Sequence, residues 1–182
     1  MRGLIIDTET TGLSHNYNQV LTVGMLLADI DTKLDFVNSR HIKIKHKKYN
    51  VSGFALQINK INLKEHNKVG IKPTQACFEI NEFIKKNKVK NIPLIGHNIS
   101  FDMRFLRELY KKEKEDFLLD METLDTRSIW INLRNKGIVP YELKSNLRTV
   151  AQHFEIDYSK AHDALEDCKI TAKVFHKMIQ IQ

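Results

Sequence analysis

Apolar and polar positions along the chain change period several times, and each change marks an element. Leu4-Ile5-Ile6 is a short apolar run that stops at a polar break, as a buried strand does. Residues 19–30 (QVLTVGMLLADI) and 34–45 (LDFVNSRHIKIK) are rich in β-formers, and Asp29 to Lys33 lies between them like a hairpin connection. His41-Ile42-Lys43-Ile44-Lys45 alternates strictly, which predicts a strand with one wet, basic face. The period then lengthens to that of helices. Asn62-Leu63-Lys64-Glu65 has the spacing of a capping box. Residues 74–87, after Pro73, put Ala76, Ile80, Phe83 and Ile84 on one helical stripe. Residues 91–96 (NIPLIG) return to a short strand, and 100–114 to a helix with Phe101, Phe105, Leu106 and Leu109 inward. Helices are expected over 123–135, 145–154 and 163–180. A β-meander followed by alternating helices and strands predicts an α/β fold with a mixed sheet. With no repeat, low-complexity segment or linker-like stretch, residues 1–182 are expected to form a single domain.

Composition narrows the function classes. The net charge of +7 favours a polyanionic partner, nucleic acid or an acidic membrane surface, although many small proteins are basic without a specific partner. Lysines and a histidine cluster at Lys43, Lys45, His46, Lys47 and Lys48, and lysines again at Lys85, Lys86, Lys88 and Lys90; Arg104 and Arg107 follow Asp102 on one helix. Such runs track phosphates in some proteins and are plain solvated faces in more of them. Cys77 and Cys168 lie far apart with no CxxC or Cys/His cluster, so reduced thiols are expected, with neither a disulfide framework nor a zinc site. No apolar stretch approaches a membrane span, and the run before Asp7 is too short for a signal-peptide core. The expected setting is cytoplasmic.

Three acidic sites carry candidate chemistry. Asp7-Thr8-Glu9 sits where an apolar strand ends, and residues i and i+2 of a strand share a face. Two carboxylates held together there repel each other, and a divalent cation is the natural compensation. A solvated strand terminus would explain the pair equally well. In Gly96-His97-Asn98-Ile99-Ser100-Phe101-Asp102 a strand ends, polar residues turn the chain, and Asp102 falls in the first turn of a helix. An aspartate there also complements the helix dipole with no further role. In His162-Asp163-Ala164-Leu165-Glu166-Asp167, Asp163 and Glu166 have capping-box spacing and read as structural. Asp167 then lies about one turn into the helix, with the titratable His162 just before it.

These three segments, in this order and spacing, resemble the signatures of the DEDD exonucleases of the histidine subtype. That family includes polymerase proofreading subunits, ribonuclease T and oligoribonuclease. Its strand end of the DxETTGL kind is matched by Asp7 to Leu13, its HNxxFD helix start by His97 to Asp102, and its HxAxxD helix by His162 to Asp167. The sister subtype puts tyrosine four residues before the last aspartate; that position is Asp163 here, and histidine stands five before. The resemblance implies a ribonuclease H-like fold, with a mixed five-stranded sheet flanked by helices. It implies two Mg²⁺ or Mn²⁺ ions held by Asp7, Glu9, Asp102 and Asp167, with His162 as the base that takes a proton from the attacking water. It further implies substrate contacts at Thr10, Gly12, Leu13, His97, Asn98 and Phe101. Leu13 and Phe101 are equally readable as core residues, and Gly12 as a turn glycine.

The activity so implied is 3′→5′ removal of 5′-mononucleotides from single-stranded ends, DNA ahead of RNA. An RNA-trimming or oligoribonuclease-like enzyme is the alternative, and a non-catalytic nucleic-acid-binding protein on the same fold is a third reading. The third would show the loss of a ligand or of the base, and none is lost. One departure concerns the second strand, where many relatives carry an acidic residue and this chain has Thr22. The chain ends 15 residues after Asp167, without the polymerase-binding tail of proofreading subunits, so direct polymerase partnership is unsupported by the sequence. Family members are often homodimers, but no feature of this sequence requires one.

Overall fold

Strands β1 (Arg2–Thr10) and β2 (Val20–Ile30) are largely buried, and the apolar run Leu4-Ile5-Ile6 of β1 and the mostly apolar β2 fit strands covered on both faces. They pair antiparallel, and β2 pairs antiparallel with β3 (Leu34–Lys43), an edge strand whose residues are mostly exposed. On the other side of β1 the sheet turns parallel, through the short β4 (Leu94–Gly96) and β5 (Thr123–Asp125). The order β3-β2-β1-β4-β5 is the mixed five-stranded sheet expected. This computed structural model describes residues 1–181, and among them seven helices flank the sheet.

Alternation along the strands separates two packed layers. Leu4 and Ile6 of β1, with Val23, Met25 and Leu27 of β2, face helices α3 (Pro73–Lys86) and α4 (Ile99–Glu113). Ile5 of β1, with Leu26, Ala28 and Ile30 of β2, faces α7 (Ala164–Gln180) through Cys168, Ala172 and Phe175. A third cluster around Trp130 joins α7 to α5 (Thr126–Asn135) and α6 (Leu147–His153). The short α1 (Ala55–Asn59) and α2 (Leu63–Val69) lie between β3 and α3. Among the described residues no helix is long and apolar enough to cross a membrane.

Four local expectations need correction. The strand read as ending at Ile6 runs on to Thr10, because β2 keeps pairing with it through Asp7, Thr8 and Glu9 despite their polarity. The segment 123–135 is not all helix: Thr123–Asp125 pairs with β4, and Asp125 then caps α5 by accepting from Arg127 N. Three residues are too few to show a strand period. Both capping boxes form only by half. Asn62 and Asp163 accept from the backbone as N-caps, but Glu65 and Glu166 bond Lys68 and Lys169 instead of reaching back. The alternation at 41–45 holds, with Ile42 and Ile44 buried and Lys43 and Lys45 exposed.

Candidate active site

The site forms where β1 outruns its parallel neighbour. β4 pairs with β1 only at Leu4 and Ile5, so from Asp7 onward one edge of β1 is open to α4. Asp102, in the first turn of α4, fills that edge: its Oδ1 accepts from Thr8 N at 2.9 Å and from Thr8 Oγ1 at 2.7 Å. The helix can begin there because Asn98, its N-cap, takes the left-handed conformation (φ 67°) and donates its backbone N–H to Asp125.

From the opposite face comes the start of α7. It lies directly on β2 at Gly24, where a Cβ would stand 2.3 Å from Ala164 O, so a side chain at that position would push the helix off the sheet. Asp7 pairs with Gly24 in register, which sets the His162–Asp167 segment against the carboxylates of β1. Asp163 caps the helix, and His162 takes a positive φ of 74° so that its N–H donates to Asp167 Oδ2 at 3.1 Å. Glu9, His162 and Asp167 each bring one ligand-type atom to within 4.8 Å of the others.

Electrostatics define this cluster further. Burial, followed by repulsion from Asp102, Asp167 and Glu9, holds Asp7 well above the usual carboxylate range. Burial and the Asp167 charge push Glu9 up to about 8, against a lowering contribution from Asn59. Burial raises Asp102 to about 7, and the two bonds from Thr8 oppose the rise. Asp167 is pushed up to about 6 by burial, and its Oδ1 is buried without a hydrogen-bond partner among the described residues. Four crowded carboxylates, one with an orphaned oxygen, lack positive charge of their own. Their hard oxygen donors fit Mg²⁺ or Mn²⁺. His162 has its pKa lowered by burial and by Arg148, so at neutral pH its imidazole is unprotonated.

The remaining sequence-derived candidates divide in two. Thr10 is buried, with its hydroxyl donating to Gly12 O at 2.6 Å and its carbonyl accepting from Asn59 at 3.2 Å. Gly12 lies in a bend of the chain without a positive φ, and a Cβ there would meet Ser52 Oγ at 2.2 Å and Asn18 Oδ1 at 2.4 Å, so tight packing also requires glycine at this position. Leu13 is 84% exposed and is not a core residue, whereas Phe101 is half-buried and stacks against Phe105. His97 is pinned, one ring nitrogen to Thr126 Oγ1 and the other to Ser145 O, both at 2.9 Å. With Asn98 it lines a second cavity of about 410 Å³ beside Arg127 and Lys144, apart from the one that opens on Glu9 and His162.

Several neighbours went unnoticed in the sequence. Tyr158 meets the His162 ring edge-on at 6.2 Å, and Arg148 lies over the ring of that tyrosine at 5.5 Å. Asn59 reaches the end of β1 from α1. Only the position of Tyr158 four residues before His162 was a local signal; the others meet the site through folding alone.

Comparison with known proteins gives a family. The RNase_T exonuclease family model matches residues 4–175. Among curated proteins, a PolC-type DNA polymerase III of Caldanaerobacter subterraneus is 28% identical over 187 residues, covering 97% of this chain and 11% of the polymerase. The 3′-5′ exonuclease DinG of Staphylococcus epidermidis is 23% identical, covering 97% of this chain and 18% of that protein. The chain thus spans under a fifth of these relatives. Among solved structures, E. coli exonuclease I in complex with a dT13 oligonucleotide superposes with a TM-score of 0.83 at 19% identity, over 100% of this chain and 41% of that one. The nuclease domain of 3′hExo, a DEDDh family member bound to rAMP, gives 0.80 at 16% identity, over 98% of this chain and 92% of that one. Both share the ribonuclease H-like fold.

Proposed function

The chain belongs to the exonuclease family, and from that premise we propose that it removes 5′-mononucleotides from the 3′ ends of single-stranded nucleic acid, DNA ahead of RNA. The observation that carries this reading is the convergence of Glu9, Asp167 and His162 within 4.8 Å, beside the half-buried Asp7 and the buried Asp102. Asp7, Glu9, Asp102 and Asp167 would hold two divalent cations of the Mg²⁺ or Mn²⁺ kind, which when bound supply charge stabilisation to the attacking and departing oxygens. His162 accepts the proton of the water that attacks the terminal phosphodiester, a role suited to an imidazole kept neutral by its surroundings. Tyr158 and the His162 backbone bond to Asp167 orient that ring. Leu13, apolar and exposed at the rim, offers a surface for the terminal base.

DNA is favoured because the PolC relatives are DNA polymerases and exonuclease I is seen with DNA oligonucleotides. The PolC relatives also point to a polymerase setting, for which the sequence by itself offers no support. A cytoplasmic location accords with Cys77 and Cys168, both buried as free thiols. The test is polarity and sugar choice together, on matched single-stranded DNA and RNA. A 5′ label should give a descending ladder, with DNA decaying faster; release of the 5′ label as a mononucleotide would refute the 3′→5′ reading.

A further inference from the structure

A row of side chains crosses three strands next to the candidate active site. Glu9 of β1 pairs in register with Thr22 of β2, and Thr22 pairs with Lys43 of β3, so the three share one face of the sheet. All three line a single cavity of about 370 Å³, together with His41 and His162. The row spans roughly 10 Å from β1 to β3, two inter-strand spacings.

The donors along this row are unused. Thr22 is 4% exposed, and its Oγ1 has no hydrogen-bond partner among the described residues. Burying a hydroxyl without a partner is unfavourable, and this one is covered just beneath the cavity that Thr22 helps to line. His41 Nε2 is likewise buried and unpartnered, while its Nδ1 stands 3.7 Å from Asp163. Lys43 makes no ion pair among the described residues. The other charges on the cavity, Glu9 apart, are spoken for. Glu65 is bonded through both oxygens to Lys68 at 2.8 Å, Asp163 caps α7, and His66 bonds Ile44 O. What remains is the Lys43 ammonium, with the unpartnered Thr22 hydroxyl and His41 Nε2 buried beside it, a short step past Glu9 of the candidate catalytic cluster. That combination recognises an anion rich in acceptor oxygens.

We propose that this row is a subsite for a 3′-terminal phosphate, so that the protein accepts strands ending in a 3′-phosphate as well as a 3′-hydroxyl. The inference rests on the exonuclease reading and deepens it at the same site. A sugar seated beside Glu9 would direct its 3′ substituent over Thr22 toward Lys43. In the reaction, water adds to the phosphorus of the last internucleotide linkage and the bond from that phosphorus to the penultimate O3′ breaks. The O3′ leaves with a proton. The unit released carries phosphates on both its 5′ and 3′ oxygens, and the shortened strand ends in a hydroxyl.

Two measurements test this. Calorimetric titration with thymidine 3′,5′-bisphosphate and thymidine 5′-monophosphate, in Mn²⁺, should show the bisphosphate binding tighter by roughly 10- to 100-fold, the worth of one or two charge-assisted hydrogen bonds. Lys43→Met should bring the ratio near one. Thr22→Val should narrow it while leaving the melting temperature of the free protein unchanged or higher, since the lost hydroxyl has no partner. Equal affinities in the wild type, or a Lys43→Met variant that keeps the wild-type ratio, would overturn the subsite. Digestion of 3′-phosphorylated and 3′-hydroxyl DNA separates the two readings. If neither strand is degraded while the Lys43-dependent ratio holds, the subsite stands and the exonuclease reading fails. If only the hydroxyl strand is degraded and the ratio is one, the reverse is true.

Discussion

Thr8 gives Asp102 two hydrogen bonds to the same oxygen, one from its backbone N–H at 2.9 Å and one from its hydroxyl at 2.7 Å. Both favour the charged carboxylate and oppose the effect of burial. Thr8→Val keeps the shape and the backbone bond but loses the hydroxyl. It should raise the Mg²⁺ concentration for half-maximal activity about 10- to 100-fold, as loss of a partner behind a metal ligand commonly does. The acid limb of the pH profile should move to higher pH. An unchanged metal requirement would confine Thr8 to a structural role.

The crowded carboxylates make the metal-free fold sensitive to pH in a definite direction. Their folded-state pKa values lie above the unfolded ones, at about 8 for Glu9 and well above the usual carboxylate range for Asp7, so the folded state binds more protons. Stability from these groups is present at acid pH and falls as pH rises from about 4, the unfolded value, to about 8. In chelator, thermal melting should therefore show a lower midpoint at pH 8 than at pH 5.5. Mn²⁺ should reverse this, because it binds the deprotonated set; at 100-fold over its Kd it adds about 2.7 kcal/mol. A Mn²⁺ shift larger at pH 5.5 than at pH 8 would contradict the assignment.

Replacing the most crowded carboxylate separates stability from function. Asp7→Asn removes a crowded, half-buried acidic group with little change in volume. It should raise the metal-free melting point at pH 8, by about 1–3 kcal/mol of stability, and abolish metal-dependent cleavage. A variant that is destabilised under those conditions would show that Asp7 is neutral or well compensated in the fold.

His162 can be tested by the division between binding and turnover. His162→Ala should lower kcat by about 10²- to 10⁴-fold and leave the affinity for a 3′ end largely intact. The ring is partly exposed and caps no helix, so the melting point should move little. Equal losses in affinity and turnover would assign it to substrate binding.

Leu13 should act on KM. It stands 84% exposed, so Leu13→Ala costs little in folding. A rise in KM of several-fold with kcat nearly unchanged is expected from losing base contact, and steady-state kinetics on a single-stranded oligonucleotide would show it.

Much of the fold was legible because its elements announce themselves locally. The β2–β3 hairpin is rich in β-formers and helices α3 and α4 carry a clear period, and the boundaries of these elements and of α7 agree within about two residues. β5 was hidden because three residues carry no period, and the far half of β1 because Asp7, Thr8 and Glu9 look like a strand's end. The acidic and histidine positions stood out by residue type. Their partners did not: Thr8 bonds Asp102 across 94 positions, and Gly24 admits α7 from far along the chain. Such contacts follow from tertiary packing, to which a single sequence gives no local clue. Leu13 shows the converse case, where exposure alone decided between core and rim.

Direct metal binding tests the central claim most closely. Titration of Mn²⁺ into the wild type and into Asp7→Asn at pH 7.5, followed by calorimetry, needs no substrate and no assumption about polarity. Saturable binding by the wild type, with proton release, and at least tenfold weaker binding by the variant is the predicted result. Equal Mn²⁺ binding by both proteins, or none by the wild type, would contradict it.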